Sequence, residues 1–304
     1  MLYLVHVDKS ITYLKFKIQK GKETHKMKKL SKKEIYAAHG IEYKNGKILA
    51  PEFGYIRPLL VNGNQKIGKG AFHFSTLPTT RFYKVEINNN IYFVRGTCKC
   101  TCMENGKISC YATKGNYNFK SVVRSLAIKT ILCYMSLDFV ERAIMAQIEA
   151  DNIQLCRIHA AGDFFNLKYA AMWRRIAERF QGVTFWTYTK NREAESAFDG
   201  LEHANIVKSF LPNGKMNFGH CDHIIAMYNV LKNSGKKVHI CFCGIEKYAG
   251  IAPRHCTDCH GCAENDYVLF IEHSTDSQAE KDPLFPALVK LILDQDDNGI
   301  SKAA

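Results

Sequence analysis

Apolar and polar residues alternate with a period of two early in the chain and recur at helical spacing later, so the pattern predicts a strand-rich beginning and an α/β remainder. Up to about Pro78 it gives short strands and turns. Ile41-Glu42-Tyr43 and Lys47-Ile48-Leu49 flank Asn45-Gly46, a hairpin signal, and Ser31 three residues before Glu34 offers a capping box for one short helix. Arg81 to Ile87 and Ile91 to Arg95 alternate around Asn88-Asn89-Asn90, which predicts another hairpin. From Tyr92 onward the apolar runs Tyr92 to Arg95, Leu155 to His159, Val183 to Tyr188, Ile206 to Phe210, Val238 to Cys241 and Tyr267 to Ile271 have strand length.

Between those runs lie helical stripes: Leu137, Val140, Ile144 and Ile148, then Tyr169, Met172, Trp173, Ile176 and Phe180, then Ile224, Met227, Tyr228 and Leu231, and last Leu284, Leu288 and Leu291. The stretch from Phe119 to Asn152 is long enough for two helices. Strands alternating with helices imply a parallel sheet with right-handed crossovers. Six such units predict a partial (βα)6 TIM-like barrel over residues 81–304, preceded by a β-rich, basic N-terminal extension over residues 1–80.

With 304 residues and 46% hydrophobic content the chain can bury a substantial core. It has no run of about 18 apolar residues, the length that suggests a membrane span. The expectation is a soluble protein with no membrane partner. Lys and Arg outnumber Asp and Glu by 42 to 29, a net charge of +13. Lysines crowd between Lys15 and Lys33, where Glu23 is the only acid. Such a segment suits either contact with a nucleic-acid backbone or a solvated surface.

Twelve cysteines change the picture most. The N-terminus has no basic region leading into a signal-length apolar stretch, which points to the cytoplasm, that of a host if the chain is phage-encoded. Thiols there stay reduced, so closely spaced cysteines suggest metal chemistry over disulfides. Cys98, Cys100 and Cys102, followed by Cys110, come directly after the first predicted barrel strand, where parallel α/β folds collect functional groups. Cys98, Cys102 and Cys110 would hold three irons of a [4Fe-4S] cluster and leave the fourth iron open, with Cys100 a further ligand or a bystander.

The second group is Cys256-x-x-Cys259-x-x-Cys262, with Cys243, or next Cys241, as the completing ligand. An iron-sulfur cluster suits this run, and so does zinc with His255 or His260 beside it. The two groups would share one cluster if their loops met. Cys133, Cys156 and Cys221 stand alone and read as buried structural residues.

After the second strand comes His159-Ala160-Ala161-Gly162-Asp163-Phe164-Phe165. Gly162 allows close backbone approach, and Asp163 either binds an ammonium or hydroxyl group of a ligand or caps a helix. His159 is a proton carrier or a satisfied core residue.

Ser75-Thr76-Leu77-Pro78, Thr97-Cys98, Cys110-Tyr111-Ala112, Gly162-Asp163-Phe164 with Tyr169 and Trp173, and Cys256-x-x-Cys259-x-x-Cys262 together resemble the phage "gene product 88" family, in order from Ser75 to Cys262. The resemblance implies an iron-sulfur protein of phage or prophage origin. The chain is also distantly similar to radical S-adenosylmethionine enzymes. That similarity implies cluster ligation by Cys98, Cys102 and Cys110 and contact of Gly162-Asp163 with the methionine amino group. Asp163 and His159 are the candidate catalytic residues. Seven residues separate Cys102 from Cys110 where those enzymes have two, and Asp stands for their Glu. The expected function is an iron-sulfur protein, radical-SAM-like in its chemistry, acting on a small-molecule or nucleic-acid substrate. A zinc-stabilised nucleic-acid-binding module and a cluster-based redox sensor are the alternatives.

Overall fold

The computed structural model describes residues 29–63, 67–99, 103–104, 107–108, 110–208, 221–241, 256–259, 261–270 and 282–296, with Cys256 given by its backbone alone. Helix α1 (Lys32–Ala38) starts at Ser31, and the capping box is formed: the Glu34 N–H donates to Ser31 Oγ at 3.3 Å and the Ser31 N–H to Glu34 Oε2 at 2.7 Å. Strands β1 (Tyr43–Lys44), β2 (Lys47–Ala50) and β3 (Gly54–Ile56) make a small antiparallel sheet. The turn between β1 and β2 has Asn45 at φ 51° and Gly46 at φ 74°, the left-handed pair that a two-residue hairpin needs.

Strands β4 (Val61–Asn62) and β5 (Ala71–His73) are followed by the hairpin of β6 (Phe82–Ile87) and β7 (Asn90–Arg95), and a minor hairpin of β8 (Met103–Glu104) and β9 (Lys107–Ile108) lies inside the first cysteine loop. Helices α2 (Lys120–Met135) and α3 (Leu137–Asp151) fill the stretch expected to hold two helices. Then come β10 (Leu155–Ile158), α4 (Leu167–Arg179), β11 (Thr184–Thr189), β12 (Ala204–Lys208), α5 (Cys221–Asn233), β13 (Val238–Cys241), α6 (Cys256–Cys259), α7 (Gly261–Glu264), β14 (Tyr267–Phe270) and α8 (Phe285–Asp296).

The central sheet has the order β12-β11-β10-β5-β4, with β5, β10, β11 and β12 parallel and β4 antiparallel at the edge. One face carries Cys156, Ile158 and Phe185 into the main core. There α4 buries Tyr169, Met172, Trp173 and Ile176, and Trp173 meets Phe74 edge-on at 5.5 Å. The other face presents Ala71, Trp186 and Tyr188 toward α7, with Cys262 and Ala263 packed against them. Period two along each strand separates the two sets. The Asn205 amide donates to the carbonyls of Cys262 at 2.9 Å and Asn265 at 2.8 Å, which ties α7 to β12.

The partial TIM-like barrel is not what forms. Tyr92 to Arg95, expected as its first strand, pairs with β6 in an antiparallel hairpin of its own, with Phe82 opposite Arg95 and Ile87 opposite Asn90. Asn88 and Asn89 close that turn, and side chains on one face of the hairpin, Phe82 and Phe93 among them, stand in solvent, a pattern suited to antiparallel pairing and not to a strand covered on both faces. Strand β5, too short to show a period, stands beside β10 instead. Strands β13 and β14 pair with each other in a separate parallel sheet. Among the described residues the sheet edges, β4 and β12, do not join, and β4 runs against its neighbour, so there is no closed ring of parallel strands. No helix among the described residues is long and apolar enough to cross a membrane.

Candidate functional site

The site begins at the carboxyl end of β10. His159 follows the strand with φ 62°, a conformation uncommon outside glycine, and its ring turns back into the core between Phe164 and Tyr169. Its Nε2 lies 2.9 Å from the Tyr169 hydroxyl, and Nδ1 lies 3.5 Å from Thr187 Oγ1. Burial, helped by the Arg157 charge, pushes the imidazole down to about 3, so it is neutral.

Gly162 has φ +87° and sits where side chains from two earlier segments press in. A Cβ there would lie 2.0 Å from Thr76 Oγ1 and 2.7 Å from Thr97 Oγ1. Those two hydroxyl oxygens are 2.9 Å apart, and Thr97 Oγ1 accepts the Asp163 N–H at 3.0 Å and donates to the Leu77 carbonyl at 3.1 Å. Three chain-distant segments therefore meet at one point, through Thr76, Thr97 and the pair Gly162-Asp163. Each of these segments carries part of the sequence resemblance.

Asp163 does not cap α4; Asn166 does, accepting the Tyr169 N–H at 2.8 Å. The Asp163 carboxylate instead clasps the end of β11. Oδ1 accepts from the Phe164 N–H and from Thr189 Oγ1, both at 2.7 Å, and Oδ2 from the Lys190 N–H at 2.8 Å. Burial raises its pKa, and these three donors oppose the rise. A ligand ammonium would compete with them for the same oxygens.

The first cysteine loop is fastened to this turn at both ends. Cys98 follows Thr97; its N–H donates to the Thr79 carbonyl at 3.2 Å, and the Thr79 N–H donates to Cys98 Sγ at 3.2 Å. A backbone N–H on a cysteine sulfur stabilises thiolate character and tunes a metal bound there. At the other end Cys110 precedes the 3-10 turn Tyr111–Thr113, and the hydroxyls of both Tyr111 and Tyr117 donate to the Ala160 carbonyl, the latter at 3.3 Å. Thr97 and Tyr111 thus bind opposite ends of the Ala160–Asp163 turn. Cys100 and Cys102 lie outside the described residues.

The second group stands on the other sheet. Along β13, Val238 and Ile240 enter a small core with Leu288 and Ile292, which leaves His239 and Cys241 on the opposite face. His239 Nε2 lies 3.5 Å from Cys259 Sγ, and burial pushes its imidazole down to about 4. A Cβ on Gly261 would fall 2.5 Å from that ring. Cys262 comes against Tyr188, whose hydroxyl is driven far up by burial first and then by the thiols of Cys262 and Cys241. Cys243, His255 and His260 lie outside the described residues, as does the Cys256 side chain.

Arg157 on β10 lies on the sheet face toward both cysteine groups. Its guanidinium is 5.2 Å from the Tyr188 ring centre. The Tyr117 hydroxyl, pushed up to about 12 chiefly by burial, feels both Arg157 and Cys110. Among the described residues no three His, Cys, Asp or Glu side chains come close enough to hold an ion together. In the lysine-rich segment only Lys29, Lys32 and Lys33 are described, and Lys32 is paired with Asp151 at 2.5 Å.

Neither Arg157 nor His239 stands out by sequence motif. Strand alternation is the signal that finds them, since His239 shares its face with Cys241, and Arg157 alternates with the core-facing Cys156 and Ile158.

A family model described as Gene product 88 matches residues 58–264, which hold every described residue of both groups. The Gene 88 protein of Mycobacterium phage D29 is 38% identical over 77 residues, 25% of this chain and 30% of that protein, so the match spans under a third of the relative. No solved structure matches.

Proposed function

This chain belongs to the gene product 88 family, and for it we propose a phage-type iron-sulfur protein whose cluster is bound by Cys98, Cys102 and Cys110. The observation that supports this reading is the double anchoring of one cysteine loop on the Ala160–Asp163 turn: Cys98 is held through Thr97 and Thr79, and Cys110 through Tyr111. A loop that needed only to connect β7 to α2 has no use for a backbone donor on a cysteine sulfur.

The donors fit the group in kind. Thiolates are the usual ligands of such clusters, the Thr79 N–H···S bond is the kind that stabilises cluster sulfurs, and Arg157 supplies positive charge facing a centre that carries net negative charge. A cluster bound there would supply one-electron chemistry. The protein's part is to dock the loop through Thr76, Thr97, Gly162 and Asp163 and to shape the surface that Arg157, Tyr111 and Tyr117 line.

The test is iron and acid-labile sulfide content of anaerobically purified protein, with visible and electron paramagnetic resonance spectra before and after S-adenosylmethionine. The reading expects about four irons and four sulfides per chain at a cubane site, and their loss in Cys98→Ser and Cys110→Ser. A spectrum perturbed by S-adenosylmethionine would assign that cofactor to the open iron. Protein without sulfide, or iron unaffected by both substitutions, would overturn the reading.

A further inference from the structure

Within the second cysteine group two unlike donors stand together: an imidazole on a buried strand and a thiol on a short helix, with Nε2 and Sγ at 3.5 Å. Two ligands of one tetrahedral zinc, at about 2.3 Å for sulfur and 2.0 Å for nitrogen, stand about 3.5 Å apart by geometry. The spacing is that of two neighbouring corners of a zinc tetrahedron.

The surroundings hold the ring at that place. Period two on β13 sends His239 away from the Val238–Ile240 core and toward α6 and α7. Gly261 opens α7 directly over the ring, where any Cβ would collide at 2.5 Å, so the close approach of helix and imidazole depends on glycine. The ring is buried, so its place beside the sulfur is fixed by packing on both sides.

We propose that His239 and Cys259 are two ligands of a structural zinc ion that fastens β13 to the α6–α7 segment. This inference goes beyond the iron-sulfur reading of the first loop and does not depend on it. The lobe has reason to need such a tie. Strands β13 and β14 form a two-stranded sheet, α6 and α7 are four residues each, and a two-stranded sheet is marginal by itself. A mixed imidazole and thiolate pair is a usual donor set of tetrahedral zinc.

The experiment is zinc and iron analysis of the full chain and of His239→Ala, His239→Cys and Cys259→Ser, with X-ray absorption at the zinc edge. Wild type should carry one zinc with at least one nitrogen and the rest sulfur in its first shell. Zinc should fall to about a tenth or less in His239→Ala and Cys259→Ser, while His239→Cys restores it with an all-sulfur shell. Iron bound at the first loop should be unchanged. Wild-type zinc content in soluble His239→Ala, a zinc shell without nitrogen in wild type, or iron and sulfide in place of zinc at this group would each overturn the assignment. If His239→Ala does not fold, the wild-type edge and His239→Cys still decide. Loss of iron in Cys98→Ser with zinc retained would show that the two sites stand or fall separately.

Discussion

The two cysteine groups meet the same requirement, holding thiolates in place, by opposite means. The first is a long loop tied down by hydrogen bonds at its ends: Thr97 to Asp163, Thr79 to Cys98, and Tyr111 and Tyr117 to Ala160. The second is a compact run on short helices, set against a strand histidine through a glycine. A loop fixed only near its ends leaves Cys98 and Cys110 partly exposed. A run folded onto an imidazole would enclose the ion proposed for it. This difference is why the proposed cluster is placed at the first group and the proposed structural tie at the second.

The sharpest way to break this comparison is Gly162→Ala. The added methyl would need to occupy space 2.0 Å from Thr76 Oγ1 while the backbone holds φ +87°, so both clash and left-handed strain oppose it. We expect a loss of about 3 kcal/mol or more in urea denaturation, and iron falling with it while zinc stays. An unshifted midpoint with full iron would show that the turn does not anchor the loop.

Next in size is Asp163→Asn. The amide nitrogen must face one of three donors, those of Phe164, Thr189 and Lys190, and an unsatisfied buried donor costs about 1–3 kcal/mol. Denaturant midpoints of the variant, measured near neutral pH, check this. A neutral outcome would mean that the clasp on β11 is not what holds the turn.

Acid should act on the same turn from beneath. His159 is buried with its pKa pushed down to about 3, and His73 with its own down to about 4. Unfolded, each titrates near 6.5. Because the folded pKa values are the lower ones, the unfolded chain binds these protons first; the stability is whole above about 6.5 and is lost as pH falls toward the folded values. Each histidine should cost about 1.4 kcal/mol per pH unit in that window. Urea midpoints at pH 7 and pH 5 test it, and a His159→Gln variant should show a shallower decline. Parallel declines would remove His159 from the account.

The positions of these anchors explain how far the sequence could be read. Periodicity carries α3 and α4 and places β10, β11, β13 and β14 within a residue or so, whereas α2 follows only from the length of the stretch from Phe119 to Asn152. The barrel reading failed where burial is one-sided or the strand is short. Tyr92 to Arg95 has strand composition, but its outward residues face solvent, and Ala71–His73 is only three residues long. Around the site, spacing marks Cys98, Cys110, Cys259 and Cys262 as candidates. It is silent on Thr76 and Thr97, whose hydroxyls matter only because Gly162 lets them meet. His239 was legible in principle, since it shares strand parity with Cys241.

The finest test separates the two ties on Ala160. Tyr111 and Tyr117 both donate to its carbonyl, so removing one hydroxyl leaves the acceptor satisfied by the other. Tyr111→Phe and Tyr117→Phe should each cost well under about 1 kcal/mol, whereas the double variant strands the carbonyl and should exceed the sum of the singles, since groups sharing a partner are not additive. The same excess should appear in the rate at which a chelator removes iron, because only the double variant frees the Cys110 end of the loop, and zinc release should be indifferent to all three. Strictly additive effects, or iron release unchanged in the double variant, would mean that Cys110 is held by something other than the tyrosine pair, and the loop would then be anchored at Cys98 alone.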